Sequence, residues 1–202
     1  MNPSVKFAIV YYSATGNVHE LAVAAVEGAE KAGAEVRLRK AAELAPPKAV
    51  AANPDWAAHA AATEGVPVAE VDDLVWADAV LFGTPTRYGA MASQLKQFID
   101  TTGPVWQQGL LAGKVYGAFG SAGTPHGGHE STLLSLHNVF YHWGGIIVPP
   151  GYTDPIQFEL GNPYGVSHVS GRGAPTGPVL EGARYQARRA AEIASALVAA
   201  RA

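Results

Sequence analysis

The junction at residues 5–20 constrains the fold most. Val5, Lys6, Phe7, Ala8, Ile9 and Val10 form an apolar run of strand length. Tyr11 and Tyr12 lead into Ser13, Ala14, Thr15, Gly16 and Asn17, which are small or hydrogen-bonding residues. Val18, Leu21, Ala22, Ala25, Val26 and Ala29 then recur with helical periodicity, predicting a strand, a tight loop and an amphipathic helix. At such a junction the first-turn N–H groups have no internal partners, and the helix dipole adds partial positive charge. Ser13, Thr15 and Asn17 offer hydroxyls or an amide, and Gly16 admits a close backbone approach. The loop can therefore seat a phosphate monoester held by dipoles, because it contains no Lys or Arg. The same residue types also serve as ordinary helix caps, so both readings stand on the loop alone. Neither the Gly-Lys-Ser/Thr of a Walker loop nor the Gly-x-Gly-x-x-Gly of a dinucleotide fold is present here.

The rest of the chain continues the alternation. Strands are expected at 35–39, 78–83, 113–120 and 145–149, and helices at 93–101, 131–141 and 181–201, with a turn or two of helix in 68–77. Residues 45–68 are rich in Ala and Pro. Pro46, Pro47, Pro54 and Pro67 rule out a long helix there, while Trp56 and His59 suggest a short one packed on the surface. Residues 150–178 read as a long surface loop. Strands alternating with helices imply parallel pairing and right-handed crossovers. The expected fold is α/β, a doubly wound five-stranded parallel sheet in the order 2-1-3-4-5 with helices on both faces. Residues 1–202 are read as a single domain. In such sheets the ligand sits beyond the carboxyl ends of the strands, where the order reverses. The loops at 13–18, 84–89 and 121–129 all leave such ends and should converge.

A formal charge of −3 argues against nucleic acid or a membrane surface as partner, and falls short of the acidic face of a docking electron carrier. With no cysteine there is no disulfide framework and no thiolate chemistry. The first strand begins too early to leave room for a signal peptide, and apolar runs are too short to span a membrane, so a cytoplasmic protein is expected. The spacing His126, His129, Glu130 differs from the i, i+4 pair of helical zinc sites and lacks a third ligand, so no metal is expected.

The second loop, Gly83, Thr84, Pro85, Thr86, Arg87, Tyr88, Gly89, Ala90, Met91, resembles the WrbA family of flavodoxin-like NAD(P)H:quinone oxidoreductases. So do Phe98-Ile99-Asp100-x-Thr102-Gly103 with Trp106, Ser121-Ala122-Gly123-Thr124, Gly127-Gly128-x-Glu130, Gly145-Ile146-Ile147-Val148-Pro149-x-Gly151-Tyr152 and Asn162-Pro163-Tyr164-Gly165. The motifs occur in family order across essentially the whole chain. The resemblance implies FMN as cofactor, with Ser13, Ala14, Thr15, Gly16, Asn17 and Val18 on its phosphate. Thr84, Pro85, Thr86, Arg87, Tyr88 and Gly89 would line the isoalloxazine. Ser121, Ala122, Gly123, Thr124, Pro125 and His126 would close over its pyrimidine edge. His142 matches a histidine near the flavin, and Trp106 an aromatic that covers the redox face from a neighbouring subunit of a homotetramer. Family members often have Tyr in place of Thr15, at a position implicated in nicotinamide binding. The third loop is one residue longer than usual, and the stretch near 45–65 is idiosyncratic.

The implied activity is ping-pong transfer of two electrons from NADH or NADPH to a quinone, with His142 as proton donor or charge stabiliser and Trp106 in the active site. Two other classes compete. An electron-carrier flavodoxin would be strongly acidic and monomeric. A flavin-free regulatory module would fail to bind FMN.

Overall fold

The computed structural model describes residues 4–201. Along the chain run β1 (Lys6–Tyr11), α1 (Asn17–Lys31), β2 (Glu35–Lys40), α2 (Pro47–Ala51), α3 (Pro54–Ala62) and α4 (Val71–Trp76). Next come β3 (Ala79–Arg87), β4 (Ala90–Met91), α5 (Ser93–Asp100), α6 (Gly103–Gln107), β5 (Val115–Ala122) and α7 (His129–His142). The chain finishes with β6 (Ile146–Ile147), α8 (Pro155–Leu160), β7 (Ser167–Val169) and α9 (Gly177–Ala199). The main path of the sheet is β2-β1-β3-β5-β6, all parallel, which is the 2-1-3-4-5 order of a flavodoxin-like fold.

Alternation along β1 explains the layering. Phe7, Ile9 and Tyr11 face the cluster built with Leu21 and Ala25 of α1 and Ala187 and Ala190 of α9. Ala8, Val10 and Tyr12 face the opposite cluster, with Leu95 of α5, Leu136 and Phe140 of α7, and Phe82 of β3. Each fully buried Phe, Ile or Leu contributes roughly 1.5–3 kcal/mol. Helices on both faces thus leave only the strand ends for a ligand.

Several elements differ from expectation. β3 runs on to Arg87 and turns back through β4, so most of the second loop is a β-hairpin. β5 includes Ser121 and Ala122, and α7 starts at His129, which shortens the third loop to 123–128. In 45–68 no long helix forms, as expected, but two short ones do, and two of the four prolines stand in their first turns. Pro47 and Pro54 stand in the first turns of α2 and α3, where a missing N–H costs nothing. Residues 150–178 are not a plain loop, for they hold α8, a 3-10 turn at Ser170–Arg172, and β7 paired with the carboxyl end of β5. Close backbone approach permits that pairing, since a Cβ at Gly165 would stand 2.0 Å from the Ala118 carbonyl oxygen.

The α1–α9 contact has the same character. A Cβ at Gly28 would lie 2.1 Å from the carbonyl oxygen of Arg184. In an open helix Gly→Ala gains about 1 kcal/mol. Here the added methyl meets backbone that cannot rotate away. Gly28→Ala is expected to destabilise the fold by roughly 1–3 kcal/mol, lowering the urea unfolding midpoint. An unchanged or raised midpoint would contradict this packing.

Candidate functional site

The first βα junction is built around Gly16. It caps α1 with φ at +98°, a left-handed conformation open to glycine at little cost, and its N–H donates to Ser13 Oγ at 3.1 Å. No side chain caps the helix. The amides of Ala14, Thr15, Asn17, Val18 and His19 find no protein acceptor among the described residues. Such donors at the positive end of a 15-residue helix fit an anion, and phosphate in particular, which offers several acceptor oxygens. Of the two readings open from the loop alone, ordinary side-chain capping is the one the geometry does not realise.

A cavity of about 260 Å3 opens over this cradle. The first loop contributes Ser13, Ala14, Thr15, Asn17 and Val18; the second, Pro85, Thr86 and Arg87; the third, Ser121, Ala122 and Gly123. Three loops far apart in sequence therefore meet at the carboxyl edge of β1, β3 and β5. Thr84 lies beneath the cavity. Its hydroxyl accepts from Ala92 N–H at 3.0 Å and donates to the Pro85 carbonyl at 2.9 Å, fixing the end of β3. Thr86 donates to the Gly128 carbonyl at 3.0 Å and pairs with the Thr132 hydroxyl, tying the hairpin to the start of α7. Tyr88 and Gly89 form the hairpin turn, both with positive φ (53° and 79°), and the Tyr88 side chain is fully exposed. Thr124, Pro125 and His126 lie on the exposed outer arc of the third loop, outside the lining.

Sequence reasoning missed three lining residues: Asn53, Trp56 and Ser170. Asn53 had a readable signal, because an Asn before Pro54 is a strong helix start. Its side chain accepts from the amides of Asp55 and Trp56 and so aims α3 at the cradle. Glu43 then holds α3 in place. Its carboxylate accepts from Tyr12 Oη at 2.9 Å, Gln94 Nε2 at 2.7 Å and Trp56 Nε1 at 3.1 Å. Partial burial opposes the charge, but hydrogen bonds from the Ala45 amide, Gln94, Tyr12 and the Leu44 amide outweigh it and hold the carboxyl below its ordinary value.

Trp106 and His142 lie elsewhere in the protomer. They line a second cavity of about 310 Å3 with Ile99, Val139 and Trp143, and Trp106 Nε1 donates to the His142 carbonyl at 2.8 Å. α7 leaves the carboxyl edge of the sheet and its 14 residues cover about 21 Å, so His142 sits towards the opposite edge. One chain does not bring these two residues to the phosphate cradle.

Tyr88 in a left-handed conformation costs of order 1 kcal/mol. Tyr88→Asn is expected to raise the urea midpoint modestly while weakening any ligand that uses the ring; a lowered midpoint would contradict the strain. For Glu43 the lowered folded value means that its stabilisation is present above the unfolded carboxylate pKa and fades as pH falls through the folded one. Glu43→Gln should therefore be the less stable protein near pH 7, and the gap in unfolding midpoint should narrow towards about pH 4. A gap independent of pH would show that the charge plays no part.

Comparison with known proteins agrees with this geometry. Residues 6–155 match the family described as NADPH-dependent FMN reductase. An NAD(P)H dehydrogenase (quinone) from Deinococcus radiodurans is 43% identical over 203 residues, covering 98% of this chain and 100% of its own. One from Paracoccus denitrificans is 43% identical, covering 96% and 95%. A WrbA-like flavodoxin protein from Agrobacterium tumefaciens has a similar solved structure, with TM-score 0.68 at 27% identity over 95% of this chain and 98% of that one. The chain belongs to the NADPH-dependent FMN reductase family, among its WrbA-like members.

Proposed function

We propose that the protein is an FMN-dependent NAD(P)H:quinone oxidoreductase. The observation that carries this reading is the set of unspent first-turn amides of α1, opening into a cavity at the edge where three strand-end loops meet. When bound there, FMN supplies two-electron chemistry, accepting from a nicotinamide and donating to a quinone. The amides of Ala14, Thr15, Asn17, Val18 and His19 and the Ser13 and Thr15 hydroxyls hold the phosphate. Pro85, Thr86 and Arg87 on one side and Ser121, Ala122 and Gly123 on the other flank the ring with backbone groups that need no side-chain ordering. Thr124, Pro125 and His126 would reach the pyrimidine edge by an inward fold of the third loop.

NAD(P)H and quinone would use one exposed face in turn, giving ping-pong kinetics. Trp106 and His142 of one protomer reach that face only in another copy of the chain, so the reading includes a homotetramer whose neighbours complete each site. Half of the Trp106 surface is exposed at 49%, along with Leu110, Leu134 and Tyr141, and this apolar material suits an interface between copies. There Trp106 would exclude water from the reacting face, and the exposed His142 imidazole would pass a proton to the quinone oxygen. Among the described residues no helix is long and apolar enough to cross a membrane. Residence in the cytoplasm belongs to the same proposal.

Anaerobic stopped-flow mixing tests it. NADH should bleach the flavin absorbance of FMN-loaded protein, and benzoquinone should restore it. His142→Gln is expected to slow the quinone step by about 10²-fold, and Trp106→Ala by about tenfold, with little change in FMN affinity. Absence of bleaching would sink the assignment. Full activity from a species that sediments as a monomer would remove the shared site.

A further inference from the structure

A positive charge is oddly scarce behind the cradle for a site meant to hold a phosphate monoester. The loop has no Lys or Arg, Arg87 stands on the opposite wall with its guanidinium donating to the Thr86 carbonyl at 3.0 Å, and Lys40 Nζ is engaged with the Thr63 carbonyl at 2.6 Å. Two histidines occupy the gap. His19, in the first turn of α1, places Nδ1 2.6 Å from the Tyr11 hydroxyl. His59, from α3, packs on it with ring centroids 5.4 Å apart. A Cβ at Gly16 would lie only 3.6 Å from His59 Nδ1, so this ring rests against the residue that caps the cradle. His59 also lines a small cavity of about 100 Å3 that shares Ser13 and Trp56 with the cradle cavity.

We propose that His19 and His59 act as one proton-accepting pair, so that binding of the FMN phosphate draws a proton from solvent onto them. The proposal rests on the FMN reading above and adds residues to that site. Only a proton moves: the buffer acid's bond to hydrogen breaks, an N–H bond forms on one imidazole, and the buffer keeps the electron pair, so the pair gains one positive charge near the phosphate dianion. Before binding, burial first, then the neighbouring Lys40, lowers the His19 pKa below its usual value; burial, His19 and Lys40 lower that of His59. Both rings are then neutral near pH 7. A dianion close to the pair reverses the local potential and favours the charged form. Mutual repulsion limits the pair to a single proton. Tyr11, pushed up to about 12 by burial, stays a hydroxyl and can either donate to His19 Nδ1 or accept from it. The gain of charge therefore needs no rearrangement.

The other charged and titratable groups around the pair are accounted for. Lys40 comes from β2 and Tyr11 from β1. Across the small cavity lie Tyr12 and Glu43, the latter already engaged by Tyr12, Gln94 and Trp56. α3 carries Asp55 one turn before His59, and α1 carries Glu20 beside His19.

Isothermal titration of apoprotein with FMN, in two buffers of different ionisation enthalpy at about pH 7.5, provides the test; there the free phosphate, with its second pKa near 6, is already a dianion. Binding heat should depend on the buffer and report net proton uptake, whereas riboflavin, which lacks the phosphate, should show none. FMN affinity should weaken severalfold between about pH 7 and about pH 8.5. The double variant His19→Gln, His59→Gln should abolish the buffer dependence. FMN binding without proton uptake in the wild type, or uptake retained in the double variant, overturns the proposal. If neither flavin binds at any pH, the FMN assignment itself falls. The wild-type comparison of the two flavins decides the matter even if the double variant does not fold.

Discussion

Five backbone amides in and just before the first turn of α1, without acceptors among the described residues, set the terms for everything built around them. Unpaired donors at the end of a helix are tolerable where water or a ligand reaches them, and they become a binding site when the chain shields them on several sides. Gly16 makes the arrangement possible. Its left-handed backbone turns the chain from strand to helix within a few residues and brings its N–H to Ser13 instead of to the helix. A residue with a side chain there would be strained by the positive φ.

The remaining architecture places walls around that point. β3 and β5 lie beside β1, so the segments that follow them reach the same edge. Thr84, Thr86 and Thr132 bond the second loop to α5 and α7, making it a fixed wall. On the far side the Glu43 carboxylate gathers Tyr12, Gln94 and Trp56 from three separate elements. Its charge-assisted bonds bring a short, otherwise exposed helix into the site. Two features that look decorative in the chain, an Ala/Pro-rich insert and a lone glutamate, thereby become parts of one anion pocket. The same insert brings in His59, and with it a means of coupling phosphate affinity to pH.

Cradle and apolar cavity lie at opposite edges of the protomer. Trp106 and His142 are linked to each other through the indole N–H and a carbonyl, at the far end of α7 from the cradle. In the proposed reading, cofactor binding and cover of the reacting face would use different surfaces of one chain. Activity would then depend on association, because a single copy would hold the phosphate while the covering aromatic came from another.

Periodicity and punctuation were enough to read the doubly wound sheet, its order and the first loop, because buried strands and amphipathic helices write their environment into local composition. The residues at 13–18, 85–87 and 121–123 were legible for the same reason: they stand at or just past the carboxyl ends of strands. Other features depended on contacts that no local pattern encodes. β7 is three residues long and exists because Gly165 lets backbone meet backbone beside Ala118. Asn53, Trp56 and Ser170 reach the cavity from segments distant along the chain, and the opposite placement of Trp106 and His142 follows from the length and direction of α7. The sequence alone determined the five main strands, the helices that cover them and where an anion can be held, since those follow from side-chain spacing and unpaired helix amides. Tertiary structure decided which distant side chains share the pocket, and which stand apart from it, because only folding sets distances between segments that are not neighbours in the chain.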